Sequence, residues 1–584
     1  MITSETTNVN PFKLEVIKDS LLSIGDEMFF ALARTSMSPM FYEVLDYACG
    51  LTSNKGDLIS QGNGVTSFIG MLSPMVQSVL NKFDNGKSLN EGDIIIINDP
   101  YVGGGSHLSD VGLVMPIFYK GELVAFSANK GHWTEVGGKD PGSFTNDATE
   151  IYQEGLQLPG VKLFDKGVIN QSLIDIISVN VRLPDLSLGD MWAQVAALKT
   201  GAKRFIELCD KNSKEYVIEA IDQLLKQGKK LAEKELQNLP KGTFEAEDFI
   251  ESDPEKGGPY PIKVKITITD NEFICDFRGS HPQVTNPVNC SYYGLLASVR
   301  VMYLAVMQFD QDINEGVFYP LQIITDEKSI LSAERPAPVS MNFEGRLGGA
   351  ELIWKALAPS LPDRLTAGHL LSVCSVVLSG THQDTNNQFL IVEPSVGGWG
   401  AGKDMDGQRG QFCMGDGETY NIPMEIAEAR YGILVKEYGL RCDGKGAGEY
   451  IGGSGVIRSY ISLTDDQSLS VIFGRHQISP WGMNGGEEGS TSYLKVITAD
   501  GNETNPIGVT TRYSLNKGDT VQLVTATGGG FGNPLKRPVD KIIRDVKNGY
   551  YSIEQAKEKY GVIINSKTLE CIDYTSNRKS IKNM

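Results

Sequence analysis

Glycine is the residue that most constrains how this sequence can fold. The chain contains 64 glycines among its 584 residues, about 11% against a typical ~7%. They stand singly and in short clusters between apolar runs, which is typical of turns that join strands and not of disorder. The pattern predicts an α+β chain, multi-domain and rich in strands, in which the glycine clusters serve as turns.

Helical signals are confined to a few segments. Apolar residues at a spacing near 3.6 predict a helix over 12–36 and a helical segment near 189–237, capped by Asp190. Residues 290–309 predict a buried core helix. Because so long a chain exceeds a single core, we expect several domains. They are a metal-bearing domain with the helical segment (1–240), a mixed α/β domain (241–384), a glycine-rich β domain (385–535) and a small helical C-terminal tail (536–584).

The charge balance excludes several classes of partner. The formal net charge is −18 and the isoelectric point about 5.0, so the surface repels nucleic-acid phosphates and anionic membranes. No apolar stretch has the roughly 18 residues of a membrane span. The amino terminus lacks a secretion signal, and the eight cysteines show no Cys-x-x-Cys spacing. We therefore expect reduced thiols, a cytoplasmic location, and neither nucleic acid nor membrane as a partner.

The stretch "INDPYVGGGSHLSDVGLV" places three glycines directly before His107. Two apolar runs flank Lys120-Gly121 and predict a hairpin turn. With the turn centred there, facing residues have numbers that sum to about 241, so Asp110 faces Gly131 and His132 lies beside it. His107 is within reach of the same point. The three side chains predict a metal site, whereas the alternative is a glycine-rich turn with a hydrogen-bonded His–Asp pair.

A fourth metal ligand must come from another segment. Asp46, in "FYEVLDYACGL", begins a predicted strand between two apolar residues, an unusual place for a carboxylate that binds nothing. Two imidazoles and two carboxylates suit zinc, manganese or ferrous iron better than magnesium or calcium. We predict a divalent transition metal, foremost zinc or manganese, held by Asp46, His107, Asp110 and His132. The remaining histidines are predicted to be ordinary polar residues or substrate contacts (His281, His369, His382 and His476).

Ordered motifs along nearly the whole chain carry a family resemblance. They include "NDPYVGGGSHLSDVGLVMPIFYKGELVAFSANKGHWTEVGG", "VNVRLPDLSLGDMWAQVAA", "GGWGAGKDMDG", "IPMEIAEARYGILVKEYGLRCDGKGAGEYIGGSG" and "TGGGFGNP". A sequence with these motifs resembles the hydantoinase B/oxoprolinase family, which contains B subunits of ATP-dependent hydantoinases and N-methylhydantoinases and is related to the acetone carboxylase alpha subunit. The resemblance implies the same four metal ligands, although "YEVLDY" around Asp46 departs from the usual family pattern.

The resemblance also implies a partner and a reaction. Related enzymes pair such a chain with a hydantoinase A subunit, which binds ATP and Mg²⁺ and phosphorylates the carbonyl oxygen of a cyclic amide. The expected function is the metal-containing B subunit of an ATP-dependent cyclic-amide hydrolase in a hetero-oligomer. Its ring substrate would be a hydantoin, N-methylhydantoin, 5-oxoproline or a lactam. His107, Asp110 and His132 are the expected catalytic residues, because metal-bound hydroxide would attack the phosphorylated substrate.

Two other functions stay open at this point. An ATP-dependent carboxylase of the acetone or acetophenone type would use the metal to form a carbon–carbon bond with bicarbonate or carbon dioxide. A non-catalytic scaffold would stabilise the A-type partner and carry a structural metal in a closed shell. The glycine clusters lack a phosphate-loop pattern, as expected if the partner supplies the nucleotide. Glu135 and Asp99 are the expected acceptors for the ligand histidines, and Arg182 either binds an anion or joins a helix-capping network.

Overall fold

The computed structural model describes residues 9–253, 255, 257–309, 313–417 and 419–582. The chain forms two compact units, each assembled from segments that are distant in sequence. Unit 1 comprises Met1–Phe244, Val264–Gly349 and Gly415–Tyr420, and unit 2 comprises Glu245–Lys263, Ala350–Met414 and Asn421–Met584. These units are not the four consecutive ranges expected above (1–240, 241–384, 385–535 and 536–584). Whether any of those ranges folds by itself stays a prediction.

Unit 1 is built on an antiparallel sheet of seven strands. The strands are β1 Tyr47–Ser53, β2 Leu58–Gly64, β3 Ile94–Ile97, β4 Asp110–Tyr119, β5 Glu122–His132, β6 Pro159–Asp165 and β7 Val168–Ile169. Their order across the sheet is β2–β1–β5–β4–β3–β6–β7. The β4–β5 hairpin confirms the turn predicted at Lys120-Gly121.

The described chain up to residue 357 also forms several α-helices. They are α1 Pro11–Thr35, α2 Pro39–Tyr42, α3 Thr66–Lys82, α4 Gln171–Asn180, α5 Pro184–Asn212, α6 Lys214–Asn238, α7 Tyr292–Met307 and α8 Asn342–Leu357. The helices predicted at 12–36, 189–237 and 290–309 are confirmed. Helix α3 packs its apolar face against β3, β4 and β5 in one buried core, where Met75 and Val79 meet Ile95 and Val114.

The predicted capping role of Asp190 is wrong. Helix α5 begins at Pro184, so Asp190 lies in its second turn and is buried. One carboxylate oxygen accepts hydrogen bonds from the amides of Met37 (2.8 Å) and Ser38 (3.0 Å). Asp190 therefore fixes the chain between α1 and α2. Because this contact joins residues far apart in the sequence, no local pattern predicts it.

The remaining strands form four smaller sheets. One sheet has the order β11–β10–β9–β8, with β8 Gly242–Ile250, β9 Tyr260–Ile268, β10 Phe273–Asp276 and β11 Leu321–Ile324. Unit 2 contains a sheet of order β13–β12–β16–β18 (β12 Ser375–Thr381, β13 Gln388–Glu393, β16 Gln467–Ile472, β18 Val509–Leu515). Its neighbour has the order β14–β15–β19–β17 (β14 Ile433–Leu440, β15 Val456–Ser462, β17 Tyr493–Ile497, β19 Thr520–Val524).

The carboxyl-terminal tail is helical, as predicted, but also contains strands. Its elements are α10 Val539–Lys547, α11 Ile553–Tyr560, β20 Val562–Ile564, β21 Cys571–Tyr574 and α12 Ser576–Lys582, after the short helix α9 Met424–Arg430 earlier in unit 2. Gly561 ends α11 with a φ of 67°, a conformation that favours glycine. Along the described chain, no helix combines the length and apolar character required to span a bilayer.

The glycine clusters of unit 2 differ from the turns expected of them. Segments 366–371, 397–401, 446–455, 480–489 and 525–532, here called the glycine bundle, run side by side and exchange backbone hydrogen bonds. The Gly453 amide donates to the Trp399 carbonyl (2.8 Å) and the Gly528 amide to the Gly453 carbonyl (2.9 Å). A Cβ on Gly528 would lie 1.9 Å from the Trp399 oxygen. Glycine is required here for close backbone approach and not for a turn.

Replacement of one bundle glycine tests this explanation. A Cβ at Gly453 would lie 1.7 Å from the Gln408 carbonyl oxygen, so we expect Gly453→Ala to destabilise unit 2 by about 3 kcal/mol or more. Gly439→Ala is the matched control, because nothing lies within 4 Å of its Cβ position. Scanning calorimetry should show a lower unfolding temperature for Gly453→Ala only. Equal unfolding temperatures for the two variants would contradict the close-approach explanation.

Candidate metal centre

The site begins with the pairing of β4 and β5. At the turn, Lys120 and Gly121 both have positive φ, as a two-residue hairpin of type I′ requires. Beyond a bulge between Ile117 and Phe118 the register shifts by one residue. Asp110 therefore faces His132 directly, and the predicted opposition of Asp110 to Gly131 is wrong by one position. The bulge improves the convergence, because facing residues point to the same face of the sheet.

Asp46 extends this row onto the next strand. β1 pairs with β5 so that Tyr47 faces Gly131, and the His132 amide donates to the Asp46 carbonyl oxygen (3.0 Å). Leu45, just before Asp46, has a φ of 60°, which is uncommon for a residue other than glycine and is found at functional sites. Asp46, His132 and Asp110 thus stand at adjacent ends of three neighbouring strands.

His107 reaches the same point through the three-glycine loop. Gly103 has a φ of 87°, and a Cβ on Gly104 would lie 2.5 Å from the Ile97 side chain. A Cβ on Gly105 would lie 2.6 Å from the His107 carbonyl oxygen. The buried Lys130 ammonium donates to the Gly104 carbonyl oxygen (2.7 Å) and fastens the loop to β5. The glycines are needed because the loop folds tightly onto the end of β3 and returns His107 to the sheet.

Three of the four predicted ligands meet in one buried cluster. His107, Asp110 and His132 each offer a ligand atom, and these atoms lie within 4.8 Å of one another. His107 Nε2 is 3.1 Å from Asp110 Oδ1, outside hydrogen-bonding geometry. Asp110 Oδ1 and His132 Nδ1 are both buried and accept no hydrogen bond. Orphaned acceptors at this density fit a bound cation, since a buried polar atom otherwise finds a partner.

The fourth predicted ligand, Asp46, lies next to this cluster but is not one of its members. Burial and the carboxylates of Asp416 and Asp110 raise the pKa of Asp46 well above its ordinary value, and Arg346 opposes that rise. The charge of Asp110 is therefore felt at Asp46, although the two carboxylates do not share the 4.8 Å group. Coordination by Asp46 stays a prediction.

Electrostatics keep Asp110 and His132 in the protonation states that a metal needs. Burial alone would raise the pKa of Asp110, but the imidazoles of His107 and His132 and the Lys130 ammonium hold it well below its ordinary range. Burial and the neighbouring His107 lower the pKa of His132 to about 4. At neutral pH the carboxylate is therefore ionised and this imidazole neutral, and both have lone pairs to donate.

Neighbouring groups orient Asp110 and its strand. The Ser106 amide donates to Asp110 Oδ2 (3.2 Å), and the Ser106 hydroxyl donates to the same oxygen, which leaves Oδ1 facing the cluster. Gln194 of α5 donates to the Val111 carbonyl oxygen (2.9 Å) and accepts from Trp133 Nε1 (2.8 Å). These two bonds fix the residues directly after Asp110 and His132.

The acceptors predicted for the histidines are wrong. Glu135 pairs with Arg182 at 2.8 Å, and Asp99 pairs with Arg335 at 2.6 Å, so each carboxylate binds an arginine. The same pairing neutralises Arg182, so this residue is not an open anion site. The four other histidines lie outside the ligand cluster; for example, His369 Nδ1 accepts from the Gly400 amide (3.0 Å).

Sequence reasoning missed one ion pair beside Asp46. Arg346 of α8 donates to Asp416 Oδ1 (3.1 Å), and both residues are buried. The Ser67 amide and the Thr66 hydroxyl both donate to the Gly415 carbonyl oxygen and hold this segment at the start of α3. Because Asp416 is so distant from Asp46 along the chain, no spacing in the sequence indicates their proximity.

Comparison with known proteins relates the whole chain to one group. A family model described as hydantoinase B/oxoprolinase matches residues 10–534. The chain is 32% identical to the putative B subunit of a D-/L-hydantoinase from Pseudomonas sp. strain NS671, covering 98% of each chain. It is 32% identical to the beta subunit of the caprolactamase of Pseudomonas jessenii, covering 95% of this chain and 96% of that one. The 5-oxoprolinase 1 of Arabidopsis thaliana is 29% identical over 90% of this chain, which matches 42% of that longer protein.

Two solved structures share the fold. The ATP-dependent caprolactamase from Pseudomonas jessenii superimposes with a TM-score of 0.89 at 29% identity, over 98% of this chain and 99% of that one. A nucleotide-free acetone carboxylase superimposes with a TM-score of 0.89 at 17% identity, over 98% and 82% of the two chains. The second likeness shows the fold alone.

Metal analysis tests the cluster directly. We expect the purified chain to carry about one divalent transition metal, and Asp110→Asn or His132→Ala to lose it, because each removes a ligand atom. Asp46→Asn tells whether Asp46 coordinates as a fourth ligand. His382→Ala is the control, since His382 lies outside the cluster. Elemental analysis that finds equal metal in wild type and in both ligand variants would exclude the site.

Ser106 provides a subtler prediction. Ser106→Ala removes the hydroxyl that fixes Asp110 Oδ2 but leaves every ligand atom in place, so we expect metal affinity to fall about 10- to 100-fold. Ser109→Ala in the same loop is the matched control, because the Ser109 hydroxyl is buried without a hydrogen-bond partner. Competition with a chromogenic chelator measures both affinities. If the two variants bind metal equally well, Ser106 does not orient the ligand.

Proposed function

The chain belongs to the hydantoinase B/oxoprolinase family, and we propose that it is the metal-holding, catalytic B subunit of an ATP-dependent cyclic-amide hydrolase. The cluster of His107, Asp110 and His132 carries this proposal, because its orphaned acceptors fit a catalytic divalent transition metal. Zinc and manganese are the leading candidates for a set of imidazoles and carboxylates.

The names of the relatives support the substrate class. Hydantoinase, caprolactamase and 5-oxoprolinase are all named for ring compounds that contain an amide bond. We propose a ring of this kind, a hydantoin, N-methylhydantoin, 5-oxoproline or a lactam, as the substrate of this chain. An amide in such a ring resists hydrolysis because resonance protects its carbonyl carbon, so activation by ATP has a clear chemical purpose.

A partner protein follows from the same relatives. Two of them are named as the B or the beta component of an enzyme with several subunits, and the 5-oxoprolinase holds the matched region within a longer chain. We propose that a hydantoinase A-type partner binds ATP and Mg²⁺ and phosphorylates the carbonyl oxygen in a hetero-oligomer with this chain. The chain's own glycine clusters lack the pattern of a phosphate loop, which agrees with that division of labour.

The residues of this chain then hold and tune the reacting centre. His107, Asp110 and His132 would hold the metal, with Asp46 as the fourth ligand. When bound, such a metal supplies hydroxide at neutral pH and polarises an oxygen. Ser106 holds Asp110 in one orientation, and Lys130 keeps the glycine loop against β5. Both contacts limit the movement of the ligands during turnover, since an active site must keep its reacting groups in place.

Turnover of the complex tests the proposal. The chain is co-expressed with its A-type partner, and ring opening and ATP consumption are followed together over a panel of the four substrate types. We expect His107→Ala and His132→Ala to fold but to lose about 10³-fold or more of ring opening, because each removes a metal ligand. His382→Ala should keep full activity.

Two outcomes of this experiment would support a different function. Product formation that requires bicarbonate, with phosphate release only in its presence, would assign the complex to the acetone or acetophenone carboxylase type. Ring opening that survives the loss of metal in both histidine variants would reduce this chain to a scaffold with a structural ion.

A further inference from the structure

The amino ends of two long helices meet close to the metal centre. Helices α7 and α8 have 16 residues each, and each amino end carries roughly +0.5 of an elementary charge. A Cβ on Gly345, in the first turn of α8, would lie 2.9 Å from the Cβ of Cys290, just before α7. The position of a Cβ on Gly294, in the first turn of α7, is 2.9 Å from Cys290 Sγ. The first turns of both helices thus pack around one cysteine.

Asn342 is the polar residue at this junction, and its amide has no partner. The side chain is 1% exposed, and neither Nδ2 nor Oδ1 forms a hydrogen bond. Its oxygen lies 3.7 Å from the position that a Gly294 Cβ would take, so the amide points at the amino end of α7. A buried amide without partners costs about 1–3 kcal/mol relative to a satisfied one, and a fold keeps such a group where a ligand uses it.

Arg346 completes the junction. It lies four residues after Asn342 on α8, so the two side chains share one face of the helix. Its guanidinium donates to Asp416, and its charge is felt at Asp46 of the predicted metal set. The Ser291 hydroxyl already caps the Gly294 amide of α7, so this helix contributes its dipole. The Asn342 amide, which offers a donor and an acceptor, and the Arg346 guanidinium contribute the polar atoms of an anion site.

We propose that Asn342, Arg346 and the amino ends of α7 and α8 bind a phosphoryl group. A phosphoryl group that keeps one proton offers both an acceptor and a donor to the amide, whereas a carboxylate offers acceptors only. In the ring-opening scheme this group is the phosphate on the activated carbonyl oxygen, and that identification rests on the proposed function. The binding site itself stands on the contacts of these residues alone.

Inorganic phosphate is the probe for this site. The full-length chain is titrated with phosphate, without ATP, ring substrate or partner, and its unfolding temperature and the heat of binding are measured. Asn342→Leu keeps the shape of the side chain but removes its polar atoms, so we expect phosphate affinity to fall about 10- to 100-fold. The unfolding temperature without phosphate should stay equal or rise, because an unsatisfied amide is replaced by an apolar group.

Two further variants sharpen the test. Arg346→Leu should weaken phosphate binding by a similar factor, whereas Arg204→Ala, which removes an exposed arginine paired with Glu27, should leave it unchanged. Acetate serves as the carboxylate arm, and we expect it to bind at least about tenfold more weakly than phosphate. Wild-type affinity in Asn342→Leu, absence of phosphate binding by wild type, or equal binding of acetate would each overturn the proposal.

These outcomes are separable from those of the turnover assay. Phosphate binding that depends on Asn342 while no cyclic amide is opened would keep the anion site and reject the hydrolase. Ring opening by the wild-type complex, with normal phosphate binding in Asn342→Leu, would keep the hydrolase and reject the anion site.

Discussion

Strand register is the constraint that brings the candidate metal ligands together. The bulge in the β4–β5 hairpin shifts the pairing by one residue, and that shift sets Asp110 against His132. Because side chains alternate between the two faces of a sheet, a slip of one position would turn one of the two away from the other. The pairing of β1 with β5 then brings Asp46 into the same row. Backbone hydrogen bonds between the strands, and not contacts between the side chains, therefore bring Asp46, Asp110 and His132 together.

Glycine serves two different purposes in this chain. Around residues 103–105 it lets a loop fold onto the end of a strand, partly through a positive φ and partly through the lack of a Cβ. At Gly453 and Gly528 of the glycine bundle, positive φ is not the reason; backbone segments approach so closely that a Cβ would collide with a neighbouring carbonyl oxygen. Close approach of the glycine segments orders a large part of unit 2 without regular strands, since their backbone N–H and C=O groups form hydrogen bonds with one another.

Charge burial connects the metal centre to the junction of α7 and α8. Asp46, Asp110 and Asp416 bring three carboxylates into one region of unit 1, and burial, together with the charges of the other two, raises the pKa of Asp46. Arg346 alone does not balance them. A divalent cation at the ligand cluster would relieve the crowding, and Arg346, which pairs with Asp416, also belongs to the proposed phosphoryl site. The two proposals thus place a cation beside the carboxylates and an anion beside the guanidinium and the helix amino ends.

Local signals in the sequence sufficed to indicate several helices and hairpins and to select the candidate ligand residues. Apolar periodicity indicated α1, α5, α6 and α7, and the turn chemistry of Lys120-Gly121 brought His107, Asp110 and His132 near one another, because both signals act over a few residues. Tertiary structure decided the rest. The bulge, the partners of Glu135 and Asp99, the contact of Asp190, and the place of Asn342 and Arg346 all depend on packing between segments far apart in the chain. Local sequence patterns do not encode such distances, since the free energy that fixes them comes from contacts formed only in the folded state.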